Sequence, residues 1–337
     1  MRKNNRLFTY LTLIIVGLLF LGSVPAFAKD KSSLEKARER LEEKLAGMPG
    51  FAGIAHSEEE GEIIVFLENE KAKGKVPDSH EGFPVRKQVT GKFRALGVQL
   101  VEATAPSETN LVSSERLGTI RPLVGGISVS AYIPGVAFAG TLSMVTYGEK
   151  KILSNAHVLA YHPDTNKPLA LGTPTIQQGS LDGGTVDSNK VGELYKYITI
   201  NFNSFWRPNY ADAAIAKLDL NVEGLSGVQF AEGGNYTVSG FTLVNKGDTV
   251  RKSGRTTGVT ANKVTSNNAS LFIWYGNKWA YFKDQILVNQ PFLQAGDSGS
   301  LVDKNGQFVG LAFAGSDTIA VVCKAINVMA GLGISVR

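Results

Sequence analysis

The chain has 337 residues, 43% of them hydrophobic and 19% charged, which provides a sizeable core and about two domains' worth of sequence. Its formal charge of +5 falls to +2 once the three basic residues of the first 28 positions are set aside, which excludes a strongly cationic nucleic-acid binder. The single cysteine, Cys323, excludes an intramolecular disulfide, so stability has to come from packing.

Residues 1–28 combine a basic start (Arg2, Lys3, Arg6), an apolar run over 11–21 and the small-residue pattern Ala26-Phe27-Ala28. This reads as a secretory signal cleaved after Ala28, with no stable membrane insertion once it is removed; an uncleaved anchor is the competing reading. The implied location is secreted or extracytoplasmic. From residue 29 to 102 the pattern predicts a small α+β unit. Ser32-Ser33-Leu34-Glu35 resembles a capping box, and Leu34, Ala37, Leu41 and Leu45 recur at helical spacing. The β-branched run 63–67 predicts a strand, with more strand signal over 84–93. This unit offers no nucleophile, metal cluster or phosphate loop. Residues 103–120, rich in Ser, Thr, Ala and Glu, read as a linker.

From residue 121 to 337 the texture changes to short β-type runs separated by Gly, Asn and Asp turns. The runs 271–275 and 279–282 flank Gly276-Asn277, a strong hairpin signal, and 307–313 with 318–323 form a second pair. Many short strands at this spacing predict an all-β sandwich or barrel, and the apolar run 325–332 predicts a short C-terminal helix.

The candidate chemistry centres on Gly296-Asp297-Ser298-Gly299-Ser300, where glycines flank a serine. Such a loop bends tightly enough for consecutive amide N–H groups to point at one spot beside the hydroxyl; a plain polar turn is the alternative. His157 follows the apolar run 152–153, at the edge of a predicted core; a satisfied core histidine is the ordinary explanation. Asp212 lies in a strand-like run of small apolar residues, where an unpaired acid is costly to bury and needs a donor. A neutral imidazole presenting Nδ1–H to that carboxylate satisfies it and leaves Nε2 free to take a serine proton. Asp182 and Asp187 are weighed as a calcium site against the simpler reading of a polar turn. Cys323, in an apolar run, reads as a buried apolar residue rather than a reactive thiol.

In the order His157, Asp212, Ser298, the local sequences Asn155-Ala156-His157, Asp212-Ala213-Ala214-Ile215-Ala216-Lys217-Leu218, Arg251-Lys252-Ser253-Gly254-Arg255-Thr256-Thr257-Gly258, Gly296-Asp297-Ser298-Gly299-Ser300 and Gly310-Leu311-Ala312-Phe313 resemble the chymotrypsin-like (trypsin-fold) serine peptidases, particularly the disulfide-poor bacterial secreted type. The resemblance implies two antiparallel six-stranded β-barrels with the site between them. It implies a serine endopeptidase without a cofactor, in which Ser298 is the nucleophile, His157 the base and Asp212 the orienting acid. Gly296 and Ser298 N–H groups form the implied oxyanion hole. Asp297 is expected to be buried against a cation, Lys252 or Arg255. The implied primary pocket has Phe292 as its floor and Phe313 to Gly315 as one wall, which suits small or apolar side chains. The implied partners are a protein or peptide substrate and the protein's own N-terminal unit, either a propeptide that blocks the cleft and assists folding or a permanent accessory domain. A start of the mature chain near Arg121 is the expected outcome of removing it. A noncatalytic binding or scaffold protein on the same frame is the alternative function.

Overall fold

A computed structural model describes residues 32–99, 114–148 and 150–336. The signal at 1–28 and residues 103–113 of the expected linker lie outside the described residues. Residues Leu34–Arg337 form one compact unit.

Two closed barrels dominate that unit. In the first, Ile127–Ala131 pairs with Phe138–Leu142, and the chain runs on through Ser143 into Met144–Val145, which pairs with Lys151–Ser154. Lys151–Ser154 pairs with Ala214–Leu218, then Lys190–Tyr197 and Pro174–Ile176 follow, and Pro174–Ile176 pairs back onto Ile127–Ala131. In the second, the order is Thr249–Gly254, Leu301–Lys304, Gln307–Gly315, Ile319–Lys324, Lys278–Asn289 and Gly258–Tyr275, which pairs back onto Thr249–Gly254. Every pairing around both barrels is antiparallel, so the expected pair of six-stranded barrels is present. The Gly276-Asn277 turn joins strands of 18 and 12 residues, longer than the sequence suggests, because the first of them, bent by register shifts near Ser266 and Ala269, pairs not only with the second but also with Thr249–Gly254, Phe51–Ser57 and Phe93–Ala95. The C-terminal helix is Ala325–Leu332, closed by Gly333 at φ +70°.

The helix Ser33–Leu45 and the strands Phe51–Ser57, Glu62–Leu67 and Phe83–Val89 occupy the expected N-terminal region. Leu34, Ala37, Leu41 and Leu45 bury one helix face against Ile54, Ile63 and Val65. Each fully buried aliphatic side chain of this kind contributes about 1.5–3 kcal/mol. These elements do not stand apart from the rest. Phe51–Ser57 pairs with the upper half of Gly258–Tyr275, at Gly53↔Leu271 and Ile54↔Ser270, so one sheet runs from the second barrel into the N-terminal region. The helix adds a polar tie, with Arg38 Nη1 donating to Glu42 and to Ser270 Oγ. Alternation of apolar residues shows that a strand has a buried face, but not which edge it joins, so this pairing was hidden from the sequence.

The end of the expected linker is also structural. Ser114–Leu117 is a 3-10 helix in which Arg116 is fully buried. Its guanidinium donates to Gly126 O at 2.8 Å in the first barrel, to Ser253 Oγ at 2.8 Å in the second, and to Glu232. A polar composition conceals this role because the buried group is itself a cation.

Candidate active site

The fold brings His157 against Asp212, and Ser298 stands in a turn whose hydroxyl bonds Phe313 O and not His157. Lys151–Ser154 ends where Asn155 turns the chain into the short helix Ala156–Leu159, with His157 in its only turn. Asn155 takes the N-cap position but makes no side-chain cap; its Nδ2 donates to Asp212 O at 2.6 Å instead. Asp212 stands just before the strand Ala214–Leu218, not within it as its sequence context suggests, and is fully buried. Its Oδ2 lies 2.6 Å from His157 Nδ1 and accepts from Tyr275 Oη at 2.8 Å, while Oδ1 accepts from the His157 backbone N–H at 3.1 Å. The Asp212 N–H donates to Cys323 Sγ at 3.2 Å.

These contacts decide the charge on Asp212. Burial by itself pushes the carboxyl up, but the imidazole of His157, the Tyr275 hydroxyl and the His157 amide together outweigh it and hold the group below the usual carboxylate range. Burial and the adjacent Asp212 charge push both the Tyr275 hydroxyl and the Cys323 thiol well up, so both stay protonated. Cys323 is thus the inert buried thiol expected. Tyr275 edges the imidazole with ring centroids 5.8 Å apart. With Nδ1 held, His157 Nε2 is buried and has no hydrogen-bond partner among the described residues.

Ser298 sits in the turn before Leu301–Lys304, 1% exposed, with its Oγ donating to Phe313 O at 3.2 Å. Gly296 adopts φ +96°, a conformation that side-chain-bearing residues rarely take, and this aims its N–H out of the loop. The Gly296 carbonyl on the other side is fixed by Thr141 Oγ1 at 2.9 Å. Thr141 and Tyr275 were not singled out in the sequence; a lone Thr or Tyr carries no signal until the pairing is known.

Asp297, between these two, is fully buried and holds the loop's shape. It accepts from the Thr256 and Thr257 amides at 2.9 and 3.1 Å, from Thr257 Oγ1 at 2.6 Å and from the Gln294 amide at 3.0 Å. Of the two candidate cations, Lys252 is the partner: its Nζ lies 3.4 Å from Asp297 Oδ2 and both side chains are fully buried. Burial pulls the Lys252 ammonium down from its ordinary value, and the Asp297 charge works against that. Arg255 instead pairs with Asp182, which also accepts from Ser128 Oγ, so that carboxylate is already committed to protein donors. Among the described residues, no group of three or more His, Cys, Asp or Glu is placed to hold a metal ion. Lys252→Met leaves a buried carboxylate without its counter-charge. It is expected to lower stability by about 3–5 kcal/mol, read as a shift in the denaturant midpoint at unchanged slope.

Phe292 is buried in an apolar cluster with Leu293 and Val302. Phe313 turns its ring into the core against Phe282, 4.9 Å between centroids, while its carbonyl accepts from Ser298 Oγ. Gly315 is a neighbour of the Leu96 side chain: a Cβ on the glycine would lie 3.5 Å from Leu96 Cδ1, in ordinary contact. Beside the imidazole is a cavity of about 120 Å³ lined by His157, Tyr161, Tyr275, Phe138, Ala95 and Gly97.

No family model matches the chain, and a search of curated proteins finds no match. Solved structures similar in fold include a chymotrypsin of Cellulomonas bogoriensis at 18% identity, with 64% of this chain and 97% of that chain covered and a TM-score of 0.45. Thermobifida fusca protease A is similar at 16% identity, covering 63% and 97%, with a TM-score of 0.44. A Nocardiopsis protease is similar at 18% identity, covering 64% and 98%, with a TM-score of 0.44.

Proposed function

We propose that the protein is a secreted serine endopeptidase that hydrolyses peptide bonds through an acyl-enzyme on Ser298. The observation that carries this reading is a pairing of opposites in one cleft. A buried His–Asp pair 2.6 Å apart has its outer nitrogen without a partner among the described residues, and across the cleft the Gly296 N–H donates at 2.7 Å to a main-chain carbonyl, that of Leu96. The first arrangement suits a general base, the second an oxyanion donor.

In this reading Ser298 Oγ leaves Phe313 O, donates to His157 Nε2 and attacks the carbonyl carbon, while Nε2 takes its proton. The Gly296 and Ser298 N–H groups take the negative charge that develops on the carbonyl oxygen. Asp212 stabilises the imidazolium and remains ionised. His157 then protonates the leaving amine, and water, deprotonated by the same nitrogen, releases the acyl group. Lys252 and Asp297 keep the loop in the shape this requires. The apolar cluster around Phe292 favours apolar side chains next to the scissile carbonyl. The same reading makes residues 1–28 an export signal and the protein a proprotein. Among the described residues, no helix is long and apolar enough to cross a membrane.

The test is turnover of casein by the secreted wild-type protein after processing. Steady hydrolysis inhibited by a serine-directed reagent is expected. A properly folded, processed protein, freed of any docked N-terminal fragment, that leaves casein intact contradicts the reading and favours the scaffold alternative.

A further inference from the structure

Residues 93–99 thread the cleft as an extended strand, and this strand changes partner at one peptide bond. Upstream, Phe93–Ala95 pairs antiparallel with the second barrel at Ala95↔Ala314 and Arg94↔Gly315, and the Leu96 N–H donates to Phe313 O at 3.1 Å. Downstream, Val98–Gln99 pairs antiparallel with the first barrel, at Val98↔Ala139 and Gln99↔Phe138. The switch between barrels falls at Leu96–Gly97. Leu96 O accepts from the Gly296 N–H at 2.7 Å, and the Leu96 side chain packs on the apolar cluster that contains Phe292 and Leu293. On the other side, a Cβ built on Gly97 would lie 3.7 Å from His157 Nε2. One peptide unit thus has its carbonyl oxygen on the oxyanion donor and its amine half beside the base. A strand docked only for edge pairing has no need of this.

We infer that Leu96–Gly97 is a peptide bond that the protein cuts in itself. The inference rests on the serine-peptidase reading and specifies the substrate at that site: an extended segment with a medium-sized apolar side chain on the acyl side and glycine on the amine side. Ser298 Oγ bonds to the Leu96 carbonyl carbon, and the C–N bond to Gly97 breaks with its electron pair on nitrogen. His157 gives that nitrogen the proton taken from Ser298. Water then adds to the acyl carbon, giving its proton to His157, and Ser298 is released with the Leu96 carboxylate left in the cleft. The upstream fragment stays docked after the cut, because Phe51–Ser57 remains paired with Gly258–Tyr275 and Arg38 with Ser270. It then inhibits as a bound product. The new N-terminus is Gly97, upstream of the buried Arg116, and not the start near Arg121 expected for removal of the N-terminal unit.

The experiment incubates the full secreted chain, wild type and Ser298→Ala, and reads intact mass and N-terminal sequence, with casein turnover and fluorophosphonate labelling of the same samples. The expected result is a fragment ending at Leu96 and one beginning at Gly97 in wild type only, with Ser298→Ala uncut. Leu96→Asp places a charge in an apolar pocket and is expected to slow the cut at least about 100-fold, while Leu96→Met stays within about 10-fold. The same cut in Ser298→Ala assigns it to another enzyme and overturns the inference. Wild type that turns over casein or labels but carries no cut at Leu96–Gly97 overturns the inference and leaves the peptidase reading standing. An intact chain that neither turns over nor labels sinks both.

Discussion

Ser298→Ala in the processed protein is expected to lower kcat by about 10⁶-fold, because a nucleophile and its base act as a unit and loss of either removes nearly the whole advantage of the pair. The residual rate over water is expected to persist, carried by the Gly296 N–H and by substrate binding. The variant should fold normally. Among the described residues Ser298 Oγ makes one hydrogen bond, to Phe313 O, and a single neutral bond is worth about 0.5–1.5 kcal/mol. Ser300 is the internal control: it is fully buried two residues away, and its Oγ has no hydrogen-bond partner among the described residues. Ser300→Ala is expected to leave kcat within about threefold, since its hydroxyl touches neither the base nor the cleft segment. A Ser298→Ala protein with kcat within tenfold of wild type, measured under saturating peptide, removes Ser298 from the nucleophile's role.

Asp212→Asn is expected to cost about 10⁴-fold in kcat with little change in KM. An amide at this position no longer holds His157 in the tautomer with Nδ1 protonated, nor balances the imidazolium. The size of the loss separates orientation from packing, because Asn keeps the volume and the bond from Tyr275 Oη. A stability signature follows from the same contacts. Asp212 has a carboxyl held below its unfolded value of about 4, so its contribution to stability is fully present above that pH. The contribution is lost as pH falls through the lower folded value. Thermal midpoints of wild type are therefore expected to drop more steeply below about pH 4 than those of Asp212→Asn. Parallel curves for the two proteins contradict an ionised, charge-supported Asp212.

Much of this architecture is written locally in the sequence. Helical spacing of Leu34, Ala37, Leu41 and Leu45 marks the helix Ser33–Leu45, and Gly276-Asn277 marks the long hairpin. Residues His157, Asp212, Ser298 and Gly296 stand out because each combines an unusual residue type with a neighbourhood that constrains it. An acid among small apolar residues has to find a donor, and a glycine before a serine has a conformational reason to be there. What the sequence does not show is long-range pairing. Composition separates residues 29–102 from the barrels, yet Phe51–Ser57 completes an edge of the second barrel's sheet, because edge choice depends on backbone groups that every residue carries alike. Tyr275 and Cys323 were invisible as supports of Asp212 for the same reason: both are ordinary core residues until register brings them to the carboxylate. Leu96 and Gly97 carried no signal at all. An extended substrate is recognised mainly through its main chain, so a cleft segment needs no distinctive residues.

The central claim is that one hydroxyl, that of Ser298, is activated for acyl transfer by the His157–Asp212 pair. A fluorophosphonate tests it most directly, because it phosphonylates a serine only where a base and an oxyanion site converge on it. With wild-type protein freed of its upstream fragment, one adduct per chain is expected. Peptide mapping should place it on Ser298, and it should be absent from Ser298→Ala and strongly slowed in Asp212→Asn. A processed, folded protein that forms no adduct, or forms one on a different residue at the same rate in all three proteins, contradicts the account.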